Sequence, residues 1–270
     1  MDKLLARIAE LNNASLPGGR VPFLLGAEQV GWLTPALAEA VANFEHTHHG
    51  PAGLVLDRPE ELPAIARALS RQGLMRWRRE AFDVRATWDG PVLSTIDRGA
   101  LPAFGIEAQG IHLDGLVPHP DGPRIWIARR AATKALDPGK LDHIVAGGMP
   151  AGHDAMQTLI KEAAEEAAMP EALARRAQPR FMLRYAMSRP EGLRRDLLHC
   201  YEVELPEDFI PQPRDGEVES FELWPMPRLA EALRDGEAFK FNVVAVLAAL
   251  LLRHGLFTGP DAVRLTAALR

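Results

Sequence analysis

Three glutamates follow a glycine-rich segment near the middle of the 270-residue sequence. This glycine segment spans residues 147–153, and the acids are Glu162, Glu165 and Glu166. Positions i, i+3 and i+4 share one face of a helix with about 3.6 residues per turn, so the spacing predicts that the three carboxylates lie together. Each like-charge pair costs roughly a few tenths of a kcal/mol, and a hard divalent cation relieves that repulsion. The pattern indicates either a Mg²⁺ site that receives a phosphate or a solvated acidic helix face.

The composition is that of a globular protein with a small negative charge. Hydrophobic residues make up 47% of the chain, enough for a substantial core. The net charge is -5 and no basic run is interleaved with aromatic residues, so we expect small charged ligands and no nucleic acid as partners. The single cysteine, Cys200, excludes an internal disulfide framework and fits the reducing cytoplasm.

Neither the amino terminus nor the apolar runs predict a membrane protein. Residues 1–5 lack a cationic region followed by an apolar core, so we expect no signal peptide. The longest apolar run, residues 243–252, is about half of the roughly twenty residues that span a bilayer. We therefore expect a core helix there, no membrane contact and a cytoplasmic location.

Hydrophobic periodicity and turn signals predict alternating helices and strands before residue 108. Thr34 is the predicted N-cap of the second helix. His46, His48 and His49 fall in a polar stretch without an acid or cysteine at ligand spacing, so we interpret them as exposed loop histidines. The helices are predicted over residues 4–11, 35–44 and 59–72, and the strands over 21–25, 54–56 and 77–84.

The second part of the chain reads as strands around the acidic helix. Residues 110–117 and 124–128 are expected to pair across a Pro- and Gly-containing turn. His254 precedes Gly255 at the predicted end of the last helix, where it is expected to act as a cap residue. Further strands are predicted over 181–187, 197–205 and 218–224, and helices over 227–234 and 239–254.

The glycine segment and the acidic helix together resemble the Nudix hydrolase motif, G-x5-E-x7-R-E-U-x-E-E-x-G-U. Gly147 takes the first glycine, and Met169 takes the last apolar position. Glu162, Glu165 and Glu166 take the glutamates that follow the arginine. In this family the loop–helix–loop binds a divalent metal, and the enzyme hydrolyses a diphosphate linked to another moiety.

Three positions depart from that motif. His153 replaces the first glutamate, Lys161 replaces the arginine, and Ala168 replaces the last glycine. In the family, the glutamate and the arginine hold the helix against its loop, so that contact is weakened or rebuilt here. Asp154, one residue after His153, is a candidate cap for the helix.

Further strings resemble one Nudix branch, the thiamine-pyrophosphokinase-associated proteins, which carry an N-terminal domain of uncharacterised function. The resemblance implies an α/β (α+β) protein with a Nudix α/β/α sandwich and a mixed sheet over residues 109–270. A smaller α+β accessory domain is expected over residues 1–108. The strings that carry the resemblance are 31–32, 77–82, 138–148, 204–211, 215–221, 240–242 and 253–255.

The resemblance implies Mg²⁺, with Mn²⁺ as an alternative ion, and roles for the matched residues. Glu162 and Glu166, with the backbone carbonyl of Gly147, are the expected metal ligands. Glu165 is the expected general base or an additional ligand. The predicted catalytic residues are therefore Glu165 and Glu162, and the predicted metal-binding residues are Glu162, Glu165, Glu166 and Gly147.

Substrate contacts are predicted from the charged residues that surround the glycine segment. Cations that precede it either meet phosphates or are plain solvated charges. Two acids, Asp215 and Glu217, either supply a further ligand from across the cleft or belong to a simple turn. Trp126 is expected in the core. The candidate substrate-binding residues are Arg129, Lys134, Lys140, Gly148, Asp215 and Glu217.

The implied function is Mg²⁺-dependent hydrolysis of an organic diphosphate, with thiamine diphosphate or its oxidised analogues as the implied substrate. The products would be the monophosphate and phosphate. The alternatives are a nucleotide-sugar or dinucleotide pyrophosphatase and a non-catalytic Nudix ligand-binding protein. Retention of three repelling glutamates argues against a protein that only binds. We expect a monomer or homodimer.

Overall fold

The first part of the chain forms a small four-stranded sheet with helices against it, in a computed structural model that describes residues 1–269. The sheet order is β2-β1-β4-β3, and β5 and β6 form a separate antiparallel pair. A 3-10 turn, Pro59–Glu61, precedes α3. The elements are α1 (Asp2–Glu10), β1 (Val21–Leu25), β2 (Glu28–Leu33), α2 (Pro35–Val41), β3 (Thr47–Gly50), β4 (Gly53–Leu56), α3 (Leu62–Arg71), β5 (Ala81–Val84), β6 (Ser94–Asp97) and α4 (Leu101–Phe104).

Local signals predicted α1, α2, α3, β1, β4 and β5, whereas β2, β3, β6 and α4 were not predicted. Thr34 caps α2 as predicted, since its hydroxyl accepts a hydrogen bond from the Leu37 N–H at 3.3 Å. The loop predicted for the histidines is wrong, because His48 and His49 lie on β3, which pairs with β4 at the sheet edge. Both side chains are exposed. An edge strand with polar side chains has the composition of a loop, although its backbone is paired on one side.

The second part of the chain is built on a seven-stranded mixed sheet. The main path runs β11-β12-β7-β8-β13, with β10 beside β7 and β9 beside β8. Strands β7 and β12 are parallel, and the other pairs are antiparallel. The elements are β7 (Glu107–Val117), β8 (Arg124–Arg130), β9 (Leu141–Asp142), β10 (Val145–Gly148), α5 (Ala155–Ala167), α6 (Glu171–Ala174), β11 (Gln178–Arg189), β12 (Gly192–Glu204), β13 (Val218–Pro225), α7 (Met226–Asp235), α8 (Val243–Arg253) and α9 (Gly259–Ala268).

Helices cover both faces of this sheet. Side chains alternate along a strand: on β12, Leu198 and Cys200 join the core with α1, α7, α8 and α9, whereas Tyr201 and Val203 join the core with α5. The expected α/β/α sandwich with a mixed sheet is therefore confirmed. It places the acidic helix α5 directly beside β7 and β10.

Strand β10 lies in a gap that opens between β7 and β8. These two strands pair only at Leu116–Ile125 and Val117–Arg124, at the turn that the sequence predicted. Beyond that point β10 takes the edge of β7, with Gly147 opposite Ile111. This arrangement brings the glycine segment into the sheet at the edge that α5 covers.

The two ends of the chain pack together. Leu4 and Ile8 of helix α1, and Leu11 directly after it, join the core that α7, α8 and α9 form. The division at residue 108 stays a prediction. Helix α8 was predicted as the last helix, and this is wrong, because α9 follows it with Pro260 in its first turn. Proline is compatible with a helix start, where its missing N–H has no intrahelical partner.

Within residues 1–269, none of the helices has the length and apolar character needed to cross a bilayer.

Candidate active site

Helix α5 begins with a capping box. Asp154 accepts a hydrogen bond from the Gln157 N–H at 2.7 Å, and Gln157 accepts one from the Asp154 N–H at 3.0 Å. This reciprocal pair satisfies two backbone N–H groups at the helix start. The His153 side chain makes only a long local contact within residues 1–269, 3.4 Å from Nδ1 to the Ala151 carbonyl oxygen. The capping box therefore anchors the start of α5, where the family motif uses its first glutamate.

Glu162 packs directly on Gly147. A Cβ built on Gly147 would lie 2.4 Å from Cγ of Glu162 and 2.8 Å from its Oε2. Any other residue at position 147 would collide with the Glu162 side chain, so the glycine is required by this close approach. Burial raises the pKa of the Glu162 carboxyl, against the effect of a hydrogen bond from Lys161.

Glu166 is the most enclosed acid of α5. It is 7% exposed, and its Oε2 accepts a hydrogen bond from the Ala146 N–H at 2.9 Å. Burial raises the pKa of Glu166 well above its usual value, and repulsion from Asp142, Glu162 and Asp215 adds to this rise. A buried carboxylate among other carboxylates is stabilised by a cation, which offsets both the desolvation and the repulsion.

Three acids meet at this point, Glu166 from α5 and Asp215 and Glu217 from the loop before β13, and we call them the acid cluster. One carboxylate oxygen of each lies within 4.8 Å of the others. The Asp215 carboxylate also accepts a hydrogen bond from the Glu217 N–H at 2.8 Å. Asp215 is therefore both a turn residue and a member of the acid cluster. Carboxylate oxygens are the donors that Mg²⁺ prefers, and the residues present therefore fit that ion.

Lys161 bridges the side chains of Glu162 and Glu165 on α5. Its Nζ lies 3.0 Å from Oε1 of Glu162 and 2.6 Å from Oε2 of Glu165. Although partial burial opposes it, hydrogen bonding to these carboxylates raises the pKa of Lys161. Glu165 stays half exposed. The lysine thus contacts the acids of its own helix, and Glu165 faces solvent rather than the acid cluster.

The predicted phosphate-binding cations are distributed over different parts of the molecule. Lys134 pairs with Glu217 at the acid cluster. Although burial alone would raise it, the hydrogen bond from Lys134 holds the pKa of Glu217 below its usual value. Arg129 donates to the Gly139 carbonyl at 3.0 Å, and Lys140 donates to the carbonyl of Glu237. The structure brings Lys134 to the acids, and the roles of all three cations stay predictions.

The N-terminal part of the chain also contributes to this site, which the sequence pattern did not reveal. The Ala151 N–H donates to the Ala81 carbonyl at 2.8 Å, and the Gly152 N–H lies 3.3 Å from Oδ1 of Asp83. Strand β5 therefore contacts the end of the glycine segment, after the part that pairs with β7. The only sequence signal in this region was the string 77–82, which ends within β5.

Comparison with known proteins identifies both parts of the chain. The family model of the NUDIX domain matches residues 115–247, and that of the domain of unknown function DUF4743 matches residues 3–108. Nudix hydrolase 24, chloroplastic, of Arabidopsis thaliana is 34% identical over 251 residues, which cover 88% of this chain and 69% of that protein. The chain belongs to the Nudix hydrolase family.

Two further similarities extend this comparison. Nudix hydrolase 20, chloroplastic, of Arabidopsis thaliana is 33% identical over 263 residues, 90% of this chain and 70% of that protein. A crystal structure of a Deinococcus radiodurans protein covers 63% of this chain and 98% of its own, with 19% identity and a TM-score of 0.48. This Nudix hydrolase belongs to a family of diphosphate-hydrolysing enzymes that generally use divalent metals.

Proposed function

We propose that this Nudix hydrolase is a Mg²⁺-dependent enzyme that cleaves thiamine diphosphate or its oxidised analogues to the monophosphate and phosphate. The observation that carries the metal requirement is the acid cluster, in which buried Glu166 meets Asp215 and Glu217 within 4.8 Å. Glu162 lies beside it on Gly147. Such a concentration of carboxylates in one place favours a divalent cation over solvent alone.

Each acid has a distinct place in the proposed reaction. Glu166, Asp215 and Glu217 would hold the ion, with Glu162 and the Gly147 carbonyl as further donors. Bound Mg²⁺ would supply neutralisation of the diphosphate oxygens and a more acidic water molecule. Glu166 is fixed by the Ala146 N–H, so its carboxylate is already oriented before substrate arrives.

Glu165 is the proposed general base. Its half-exposed carboxylate is within reach of water, and the contact from Lys161 at 2.6 Å orients it. In the proposed step, a water proton moves to Glu165 while the water oxygen bonds to phosphorus. The bond between that phosphorus and the bridging oxygen breaks, and the monophosphate leaves.

The choice of substrate rests on the branch resemblance. The strings at 138–148 and 215–221 surround the acid cluster, and they are among those similar to the thiamine-pyrophosphokinase-associated branch. An N-terminal domain before the Nudix domain, matched here over residues 3–108, fits the organisation of that branch. The cytoplasmic location and the monomeric or homodimeric state stay predictions.

A product assay tests this function. The full chain is incubated with Mg²⁺ and, separately, thiamine diphosphate, oxythiamine diphosphate, ADP-ribose or a nucleotide sugar, and products are separated by ion-exchange chromatography. We expect a thiamine-type monophosphate and phosphate, with no product in EDTA. Glu166→Gln should lose on the order of 100-fold or more in kcat/KM. Glu171→Gln, an exposed acid paired with Arg175 on α6, is the matched control and should retain full activity.

The other outcomes identify the alternatives. Cleavage of ADP-ribose or the nucleotide sugar, with thiamine diphosphate left intact, would replace the substrate assignment with a nucleotide pyrophosphatase. Binding without any product from the four compounds would replace the enzyme with a ligand-binding protein. Full activity of Glu166→Gln would move the metal away from the acid cluster.

A further inference from the structure

Strand β10 is held from both of its faces where its two glycines lie. Successive residues of a strand point to opposite faces, so Gly147 faces α5, where Glu162 packs on it, and Gly148 faces the other way. A Cβ built on Gly148 would lie 2.6 Å from Cζ of Phe82. Because the φ of Gly148 is not positive, this close approach rather than the backbone conformation requires glycine here.

Phe82 is a rigid base for this contact. It lies on β5 and is buried in the core of the N-terminal part of the chain, together with Val84 and Ile96. A ring that is packed closely on several sides cannot move away without disturbing its neighbours. The end of β10 is therefore held between α5 on one face and a core residue of the N-terminal part on the other.

The two neighbours of Phe82 on β5 bind the end of the glycine segment. The Ala81 carbonyl accepts a hydrogen bond from the Ala151 N–H at 2.8 Å. Oδ1 of Asp83 accepts one from the Gly152 N–H at 3.3 Å. Three consecutive residues of β5 therefore contact the glycine segment at three points, two through its backbone N–H groups and one through close packing.

Asp83 is oriented by contacts within its own part of the chain. Its Oδ2 lies 3.1 Å from Nη2 of Arg85, and its side chain is 11% exposed. Arg85 also donates to the Gly90 carbonyl, so the guanidinium is itself fixed. The Asp83 carboxylate is thus a fixed acceptor beside the last residues before Asp154, the N-cap of α5.

Strand β10 also aligns two acids of the candidate metal site. Glu166 accepts the Ala146 N–H at 2.9 Å, and Glu162 packs on Gly147. A displacement of β10 would therefore move the reference points of both carboxylates. Contacts that orient metal ligands without touching the ion typically change metal affinity by about 10- to 100-fold.

We propose that Phe82 and Asp83 are positioning residues for the metal site, so that the N-terminal part of the chain determines how tightly the Nudix domain binds its ion. The proposal rests on the metal site of the proposed function and not on the choice of substrate. Phe82 acts through Gly148, and Asp83 acts through Gly152. This gives the part matched by the DUF4743 model, residues 3–108, a role in the active site.

Metal binding tests the role of Asp83 without catalysis. The probe is Mn²⁺, titrated into the full chain and followed by the electron paramagnetic resonance signal of the free ion. We expect Asp83→Ala to raise the Kd of Mn²⁺ by about tenfold, because the turn before α5 loses its acceptor. Asp83→Asn keeps one accepting oxygen and should lie between Asp83→Ala and the original chain. If Asp83 acts through its negative charge instead, both variants would be equally weak, and this result would overturn the proposal.

The contact between Phe82 and Gly148 allows an independent test. Gly148→Ala places a methyl group against the ring and should raise the Kd of Mn²⁺ by about tenfold or more. Leucine lacks the Cζ atom that this methyl group meets. Adding Phe82→Leu to Gly148→Ala should therefore recover part of the lost affinity, and no recovery would overturn the role of Phe82.

Thr34→Ala is the control for a general loss of stability. Thr34 caps α2 in the same part of the chain, and its loss should lower the thermal unfolding temperature and leave the Kd of Mn²⁺ unchanged. If the Kd follows the unfolding temperature in every variant, including this one, the contacts are only structural and the proposal is overturned.

Hydrogen exchange adds a readout in the absence of metal. Asp83→Ala should accelerate exchange of the amides in residues 147–153, and Thr34→Ala should not. Mn²⁺ binding by the original chain with an unchanged Kd in Asp83→Ala would overturn this proposal and leave the proposed function intact. Binding that depends on Asp83, without product from any of the four compounds, would overturn the proposed function and leave the positioning role. A chain that binds no Mn²⁺ would overturn both.

Discussion

Ala168 occupies a backbone conformation that favours glycine. Its φ is 51° and its ψ is 31°, in the left-handed region, at the C-cap of α5. The N–H groups of Ala168 and of buried Met169 both donate to the Ala163 carbonyl, so the chain must turn here to bring Met169 into the core. A residue with a Cβ pays about 1–2 kcal/mol for this conformation. The family motif has glycine at this position.

Ala168→Gly is therefore expected to stabilise the protein. The relief of strain exceeds the extra flexibility of glycine in the unfolded chain, so the free energy of unfolding should rise by about 0.5–1 kcal/mol. Urea denaturation measures this change. Ala167→Gly, one residue earlier and inside the helix, is the control and should lower stability by about 1 kcal/mol. A loss of stability in Ala168→Gly would show that the turn does not store this strain.

At the scale of elements, α5 separates its three glutamates by environment. Glu166 is buried, Glu162 lies on Gly147, and Glu165 remains half exposed. Helical spacing alone predicted one shared face. Their environments differ because Glu162 and Glu166 face strand β10, whereas Glu165, on the neighbouring part of the helix surface, faces solvent. This difference separates the proposed metal ligands from the proposed base.

The start of α5 offers a test of how the helix is anchored. Asp154→Ala removes the side chain that accepts the Gln157 N–H, so we expect a loss of about 1 kcal/mol in the free energy of unfolding. Asp154→Ser keeps an accepting oxygen and should retain most of the stability. Guanidinium denaturation compares the two. Equal stability of the alanine variant and the original chain would mean that packing alone fixes the start of the helix.

At the scale of the whole molecule, a cluster of buried polar side chains links the sheet to the segment before α8. Asp114 lies 2.6 Å from Nδ1 of His143, and the rings of His112 and His143 are 4.5 Å apart. Next to them, Asp142 contacts Lys240 at 3.2 Å. Burial, followed by repulsion from His143 and Lys240, lowers the pKa of His112 well below its ordinary value.

This depressed pKa predicts sensitivity to acid. The unfolded chain protonates this histidine near pH 6.5 while the folded protein keeps it neutral, so the unfolded state binds more protons below that pH. The free energy of unfolding should therefore be independent of His112 protonation above pH 6.5. Below that pH it should fall, by at most about 1.4 kcal/mol per pH unit from this residue. Urea denaturation between pH 7.5 and pH 5.5, in roughly half-unit steps, measures the slope.

Two histidine variants test whether His112 causes this pH dependence. His112→Asn should flatten the dependence of unfolding free energy on pH, whatever its effect on stability at neutral pH. His48→Asn, which changes an exposed histidine on β3, should leave the slope as it was. An unchanged slope in His112→Asn would assign the acid sensitivity to other groups.

Sequence patterns predicted the parts of this protein that depend on neighbours along the chain. The spacing from Gly147 to Glu166 identified the family motif and located α5, and the Pro- and Gly-containing segment located the turn between β7 and β8. Asp154 was correctly identified as a cap, because a cap and its partner are three residues apart. Each of these features is decided within about twenty residues.

Only the tertiary structure decided which distant residues meet. Asp215 and Glu217 join Glu166, Phe82 reaches the glycine segment, and α1 packs beneath α8 because the sheet and its helices close around two cores. The same closure directs Lys140 to the Glu237 carbonyl and leaves Lys134 at the acids. The sequence by itself therefore determined the Nudix family motif and the helix that carries it. The composition of the surrounding site required the fold, because long-range contacts depend on chain topology rather than on spacing.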